Sequence, residues 1–134
     1  MLLNVFIVGC GGFIGAALRY LCTTLTNKLA YLTVNAPSFG FPIGILAINV
    51  IGCFLMGFLS MWLPEHFPDN RRLLTFVTTG CLGGFTTMST FCLDSFKLLA
   101  GGDYLLGALN IALTFVLCMV GVVAGVALAK SLAA

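Results

Sequence analysis

Apolar residues fill four long stretches of the chain, and polar or charged residues are gathered in the short segments between them. No charged residue occurs within positions 1–18, 29–64, 73–93 or 104–129. A helix that crosses about 30 Å of hydrocarbon at about 1.5 Å per residue needs about 20 residues. The pattern therefore predicts an all-α membrane protein with a single domain over residues 1–134, whose four transmembrane helices lie near residues 2–25, 41–63, 72–96 and 104–129.

The segments between these spans are predicted to be connections because they contain residues that end helices. Asn27–Phe41 is expected to form a loop, Pro64–Asn70 a tight polar turn, and Gly101–Asp103 a short third connection. The first span is not expected to be a cleaved signal, because no Lys or Arg precedes it and its apolar run exceeds the length of a signal-peptide core.

The composition supports lipid as the surrounding medium. Of the 134 residues, 60% are hydrophobic and only 7% are charged, whereas soluble domains carry about 25% charged residues. A net charge of +2 is too small for affinity to a nucleic-acid backbone. A soluble enzyme, a nucleic-acid-binding protein and a disordered chain are therefore disfavoured.

The cationic residues give almost no preference for one orientation in the membrane. With four spans, both termini lie on one side, which receives Arg71, Arg72 and Lys130; the other side receives Lys28, Lys97 and, if its side chain reaches outward, Arg19. The positive-inside rule counts such residues near span ends. We therefore expect insertion in both orientations, so that two opposed copies can pair; the alternative is a fixed orientation set by another signal.

The cysteine and histidine residues are the ones that can form a disulfide or a zinc site. The chain has six cysteines and one histidine: Cys10, Cys22, Cys53, Cys81, Cys92, Cys118 and His66. None of the cysteines forms a Cys-x-x-Cys pair, and all lie inside or at the edge of the apolar spans, so they are expected to act as small hydrophobes. A disulfide or a zinc site is the weaker alternative, and His66 is expected to be a loop residue without a metal.

Small and polar residues recur at helical spacing within the spans. The second span carries Asn49, Gly52, Cys53, Gly57 and Ser60, and the fourth carries Asn110, Thr114, Cys118, Gly121 and Gly125. Small residues allow helices to approach closely in lipid. An unpaired amide in hydrocarbon costs several kcal/mol. Asn49 and Asn110 therefore need a partner, water or an ion.

The first span contains a glycine cluster that is expected to serve helix packing. The segment 8–15 is close to a dinucleotide-binding fingerprint, but Ile14 stands where the last glycine is required, and no acidic residue follows about 20 positions later.

The third span is predicted to be a broken helix. Gly80, Gly83 and Gly84 are followed by Thr86 and Thr87, and glycine weakens a helix by about 1 kcal/mol relative to alanine. A broken helix at membrane depth occurs where the loosened backbone is buried or lines a cavity. The carbonyls that the break frees favour a cation, and the freed N–H groups favour an anion. The alternative is a kinked packing helix whose hydroxyls bond to their own backbone.

Three motifs resemble those of the Fluc/CrcB family of fluoride-specific ion channels. Residues 83–91 (GGFTTMSTF) resemble the family signature G-G-x-T-T-F-S-T-F. Residues 11–20 (GGFIGAALRY) resemble its G-G-x-x-G-A-x-x-R-[YW], and residues 46–54 (LAINVIGCF) its L-x-x-N-x-x-G-x-F. The likeness covers nearly the whole chain in order, length and number of spans.

The resemblance implies an antiparallel, dual-topology homodimer with two fluoride pores in the bacterial cytoplasmic (inner) membrane. It implies a structural sodium ion (Na+) held by the backbone carbonyls of Gly83 and Thr86. It places the fluoride pathway on Arg19, Asn49, Met88, Ser89, Thr90, Phe91, Asn110, Thr114 and Cys118. Three of these depart from the family: Met88 stands for a phenylalanine, and Asn110 and Cys118 stand where some members have tyrosine and serine.

The function expected from the residues and the resemblance is passive export of fluoride from the cytoplasm, without enzymatic activity. Two alternatives stay open. A small dual-topology drug or cation exporter needs a carboxylate within the membrane, and only Asp94 approaches a span. A non-conducting membrane assembly factor would leave Asn49 and the hydroxyl-rich break without a role.

Overall fold

The computed structural model describes residues 1–34 and 40–133, in which every regular element is helical. Within those residues four helical stretches are long and apolar enough to cross a membrane: Leu2–Thr26, Ile43–His66, Arg71–Ala100 and Tyr104–Ala133. The all-α prediction with four membrane spans is thereby confirmed. That these spans form one domain stays a prediction.

The third span is broken, as its glycines and hydroxyl residues predict. The chain forms α1 (Leu2–Val34), α2 (Ile43–His66) and α3 (Arg71–Thr75), then a π-helical stretch Phe76–Leu82, α4 (Gly83–Phe85), α5 (Met88–Ala100) and α6 (Tyr104–Ala133). The third span is thus the run from α3 to α5, and its helix stops after Phe85 and resumes at Met88. A π-helical stretch often marks a functional site in a helix.

Two of the predicted connections are shorter than the sequence suggested. The loop prediction over Asn27–Phe41 is wrong for residues 27–34, where α1 continues to Val34. No proline or glycine interrupts residues 27–34, and Pro37 is the first breaker. Residues 35–39 lie outside the described residues.

The predicted turn Pro64–Asn70 is also too long, because α2 continues to His66 with Pro64 inside it. Proline removes one helical hydrogen bond, here the one to the Ser60 carbonyl. Pro64 and Ser60 are both exposed, so a donor from outside the chain can reach the Ser60 carbonyl near the end of the helix. The turn itself begins at Phe67, whose N–H donates to the Leu63 carbonyl at 2.8 Å.

Glycine lets α1 pack directly on the backbone of the third span. A Cβ on Gly11 would lie 2.6 Å from the Phe76 carbonyl oxygen, and one on Gly15 would overlap the Cys81 carbonyl. Gly9 is different, since among the described residues no atom lies within 4 Å of a Cβ built there. Close packing is therefore confirmed for Gly11 and Gly15 but not for Gly9.

The small-residue stripes of α2 and α6 face each other. A Cβ on Gly57 would overlap the Val122 carbonyl, and one on Gly125 would overlap the Phe54 carbonyl. The two helix backbones therefore touch. Large apolar side chains such as Phe6, Phe13 and Leu105 are exposed on the outside of the chain, as expected where lipid or another protein surface replaces water.

Candidate functional site

An asparagine side chain from α2 holds the break in the third span open. Thr86 and Thr87 have extended backbones, with ψ of 156° and 116°. The Thr87 N–H donates to Asn49 Oδ1 at 2.9 Å, and Asn49 Nδ2 donates to the Thr87 carbonyl at 3.1 Å. Both residues are buried, with 7% and 6% of their surface exposed. The hydrogen-bond partner expected for the Asn49 side chain is therefore the backbone of Thr87.

The two hydrogen bonds between the Asn49 side chain and the Thr87 backbone, called the clamp below, alter the hydrogen bonding on both sides of the break. In a continuous helix the Thr87 N–H would bond to the Gly83 carbonyl, but here it is used by Asn49. The Thr86 N–H and Oγ1 both donate to the Leu82 carbonyl at 3.0 Å. The predicted sodium ligands, the carbonyls of Gly83 and Thr86, therefore lie where the regular helical pattern stops.

Three hydroxyl groups cluster at the start of α5. Thr87 Oγ1 lies 3.3 Å from Ser89 Oγ and 3.1 Å from Thr90 Oγ1, and it accepts a hydrogen bond from the Thr90 N–H at 3.3 Å. Thr87 thus caps the N-terminus of α5. Each hydroxyl has one proton and can rotate to donate or accept, so the cluster can reorient its donors toward a passing ion.

A cavity of about 470 Å³ adjoins the clamp and brings together five of the predicted pathway residues. Its lining comes from α2, the break, α5 and α6: Asn49, Gly52, Cys53, Met56, Thr86, Thr87, Met88, Phe91, Ile111, Thr114, Phe115, Cys118, Met119 and Val122. Met88 and Phe115 are each 70% exposed, so the cavity is open at the surface of a single chain.

The cavity offers hydrogen-bond donors and positive dipoles, and none of the described residues that line it carries a formal charge. Thr114 is 7% exposed, and its hydroxyl has no hydrogen-bond partner among the described residues. Phe91 is 8% exposed, and the edge of an aromatic ring carries partial positive charge. The N-terminus of α5, with its positive dipole end, begins beside the same space. This combination suits a small anion.

Arg19 and Thr90 belong to a second cavity, of about 360 Å³. It is lined by Ala16, Arg19, Tyr20, Thr23, Pro42, Gly44, Ile45, Thr90 and Asp94. The hydrogen bond between Thr90 Oγ1 and Thr87 Oγ1 joins this cavity to the first one. Arg19 is therefore separated from the Asn49 cavity but connected to it through hydroxyl groups.

Asn110 lies outside the lining of either cavity. It is 1% exposed between α5 and α6, and its Nδ2 donates to Ser95 Oγ at 2.9 Å. Ser95 Oγ in turn donates to the Phe91 carbonyl at 2.8 Å, so this amide anchors the turn of α5 that carries Phe91. Asn110 Oδ1 has no partner within the described part of the chain, and a direct role in the pathway stays a prediction.

The structure adds residues that the sequence did not single out as site residues. Thr87 is the centre of the hydroxyl cluster and bonds to Asn49. In the sequence, the run of hydroxyl residues after two glycines indicates this position. Met56 lines the cavity one helical turn after Gly52 on the α2 stripe. Asp94 lines the second cavity together with Arg19.

Comparison with known proteins identifies relatives over nearly the whole chain. Residues 6–126 match the family described as "CrcB-like protein, Camphor Resistance (CrcB)". A protein of Ruminiclostridium cellulolyticum named "Fluoride-specific ion channel FluC" is 48% identical over 132 residues, covering 98% of this chain and 96% of the relative. Proteins with the same name from Elusimicrobium minutum and Clostridium novyi are each 41% identical, covering 97% and 96% of this chain and 96% and 95% of the relatives.

Proposed function

Because this chain belongs to the CrcB family, we propose that it is a fluoride-selective channel of the bacterial cytoplasmic membrane that exports fluoride passively. The observation that carries the proposal is the cavity at the helix break. Among the described residues, the Thr114 hydroxyl buried in its lining has no hydrogen-bond partner, and the lining contains no charged residue. Relatives named for fluoride conduction support it.

Fluoride must exchange its water shell for groups in the protein wall. Donor hydroxyls, the edge of Phe91 and the N-terminus of α5 replace part of that shell, while the apolar wall keeps water out. Hydrogen fluoride crosses a membrane as a neutral molecule and dissociates in the less acidic cytoplasm. The membrane potential then drives the anion outward with about 2.3 kcal/mol per charge per 100 mV.

The two cavities support an order for the proposed route. Arg19 attracts the anion to the second cavity, which it lines together with Asp94, and the hydroxyl groups of Thr90, Ser89 and Thr87 then bind the anion on its way to the cavity beside Asn49. Met88 has no aromatic quadrupole, so of the two rings in the lining we assign the contact with the ion to Phe91, which is buried, rather than to the exposed Phe115.

We propose that the working unit is an antiparallel homodimer. The Asn49 cavity is open on one side of a single chain, where Met88 and Phe115 are exposed. A bilayer would cover that side with lipid, which cannot solvate an anion. A second copy with the opposite orientation supplies a protein wall instead, and the balanced cationic residues permit that insertion.

A structural sodium ion fits the break in such a dimer. Carbonyl oxygens can replace the hydration shell of a cation, and the residues available for this are Gly83 and Thr86. Two carbonyls per chain are few for one ion, but a second copy about a twofold axis doubles the set. A bound cation would also add a fixed positive charge that attracts fluoride.

The function is tested by efflux from proteoliposomes loaded with potassium fluoride or potassium chloride. With valinomycin to balance charge, fluoride is expected to leave at least about 100-fold faster than chloride, which corresponds to about 2.7 kcal/mol of discrimination. A fluoride electrode and a chloride electrode measure the release, and protein-free vesicles are the control. Equal rates for the two halides, or efflux only under a pH gradient, would contradict a passive fluoride channel.

The dimer and its ion are tested by native mass spectrometry of the purified protein. The expected species has twice the mass of one chain plus one sodium ion, because the ion lies on the symmetry axis. Exchange into potassium solution is expected to leave that mass unchanged if the ion is enclosed. A species with the mass of one chain at all detergent concentrations would contradict the dimer, and a dimer mass without bound cation would contradict the ion.

A further inference from the structure

Sulfur atoms form a distinct cluster on the wall of the Asn49 cavity. The cavity is lined by two cysteines and three methionines: Cys53, Met56, Met88, Cys118 and Met119. Both cysteines are free thiols. Fluoride is a hard anion and gains little from soft, polarizable sulfur, so conduction does not explain why five sulfur atoms line this cavity.

The two cysteines face each other across the contact between α2 and α6. Both thiols line the same cavity and lie close enough to interact electrostatically. The distance between α2 and α6 at this level is fixed by backbone packing, because a Cβ on Gly121 would lie 3.1 Å from the Val50 carbonyl and 3.7 Å from Cys53 Cβ. The pair is therefore held by rigid helices rather than by a loop.

The ligand set selects one class of metal. Zinc prefers four ligands in a tetrahedron, and the part of the chain that the structure describes contains no group of three or more His, Cys, Asp or Glu residues suited to a metal. Thiolate and thioether sulfur select soft cations. Soft d10 cations such as Hg(II) and Cu(I) accept two sulfur ligands in a linear arrangement, which two facing cysteines can supply.

We propose that Cys53 and Cys118 bind one soft, thiophilic d10 cation inside the cavity. With Hg(II) as the representative ion, two S–H bonds break, two Hg–S bonds form and two protons are released to water. No oxidation or reduction takes place. The product, a mercury ion with two thiolates, is neutral, which avoids an unpaired charge in a medium of low dielectric constant.

The bound cation closes the proposed route for fluoride. Cys118 lies one helical turn after Thr114 on α6, and both line the same space as Phe91. An ion coordinated between the cysteines therefore occupies the space beside the donors that fluoride needs. The binding site is inferred from the geometry of the cavity, whereas the block of fluoride efflux by the bound cation rests on the proposed function.

Binding is tested on the purified full chain with Hg(II) as the probe. The unaltered protein, the double variant Cys53→Ser/Cys118→Ser and the matched control Cys10→Ser/Cys92→Ser are loaded and passed through gel filtration with excess monothiol. Two cysteines held together bind one ion with a high effective concentration, and single thiols do not. Elemental analysis is expected to find one Hg per chain in the unaltered protein and the control, and at least tenfold less in the Cys53/Cys118 variant. Equal retention in all three proteins would overturn the site.

A second measurement decides the question without relying on a variant that could misfold. In the unaltered protein, Hg(II) is expected to protect Cys53 and Cys118 from alkylation under the same monothiol competition. Peptide mass spectrometry distinguishes them from the exposed Cys10 and Cys92, whose alkylation is expected to be the same with and without Hg(II). Alkylation of Cys53 and Cys118 at the rate seen without metal would overturn the site.

The block is measured by fluoride efflux, with each protein compared with its own rate before Hg(II) is added. At least tenfold inhibition is expected for the unaltered protein and the Cys10/Cys92 control, and less than twofold for the Cys53/Cys118 variant. Retention of metal without inhibition would overturn the block. If no protein conducts fluoride, the proposed function fails, and the gel-filtration and alkylation results still decide whether the metal site exists.

Discussion

Replacing Asn49 with leucine is expected to reduce fluoride efflux at least about 100-fold and to lower the thermal stability of the protein. Leucine has a similar size but cannot bond to Thr87, whose buried N–H and carbonyl would lose their partners. Each buried polar group left unpaired costs about 1–3 kcal/mol. The chain can recover part of that cost only by closing the break, which would displace the Thr87 hydroxyl from its neighbours.

Asn49→Asp separates the shape of the clamp from its charge. An aspartate still accepts from the Thr87 N–H, but its second oxygen faces the Thr87 carbonyl, and a carboxylate in the cavity repels fluoride. Efflux is therefore expected to fall at least as far as in Asn49→Leu. Vesicle efflux and thermal unfolding in detergent measure the two effects.

Ser60→Ala is the matched control for both Asn49 variants. Ser60 is also a polar residue on α2, but it is exposed and its hydroxyl donates only to the Gly57 carbonyl of its own helix. Efflux and unfolding temperature are expected to stay close to those of the unaltered protein. If Asn49→Leu conducts within twofold of the Ser60→Ala protein, the clamp does not control the pathway.

The break was predictable from the sequence because its cause is local. Three glycines within five positions, Gly80, Gly83 and Gly84, lower helix stability where they stand, and the break follows directly after them. The end of α1 was not predictable in the same way. The loop over residues 27–41 was inferred from its polar residues and Pro37, whereas the helix continues to Val34.

The partners of polar side chains depend on distant parts of the chain. The sequence showed that Asn49 needs a partner, but the one it finds lies 38 residues away, in the break of the third span. Likewise, Asn110 and Thr114 share one stripe of α6, yet Asn110 bonds to Ser95 while the Thr114 hydroxyl is unpaired among the described residues. The register between α5 and α6 decides this, and no local pattern fixes that register.

The assembly of the pathway likewise depends on how the helices pack. Arg19 and Asn49 were predicted to belong to one route, but the structure divides them between two cavities that the hydroxyl groups of Thr90 and Thr87 connect. Helix packing sets this division through glycines such as Gly15, whose contacts the sequence does not specify.

Phe91→Ile is expected to reduce fluoride efflux by about 10- to 100-fold, equivalent to about 1.4–2.7 kcal/mol in the barrier. Isoleucine fills most of the space but has no aromatic quadrupole, so the partly positive ring edge beside the ion is lost. Met88→Leu is expected to change the rate much less, because a thioether offers no comparable edge. The folded state is expected to survive, since volume-conserving apolar substitutions usually cost less than about 1.5 kcal/mol.

The control for Phe91→Ile is Phe96→Ile, a change of the same chemistry on the same helix. Phe96 is 67% exposed, against 8% for Phe91, and it does not line the cavity. Its efflux is expected to match that of the unaltered protein, and initial rates at equal protein density in the vesicles provide the comparison. Equal losses in the two variants would mean that aromatic bulk on α5 matters only for packing, and the ring edge would then have no part in conduction.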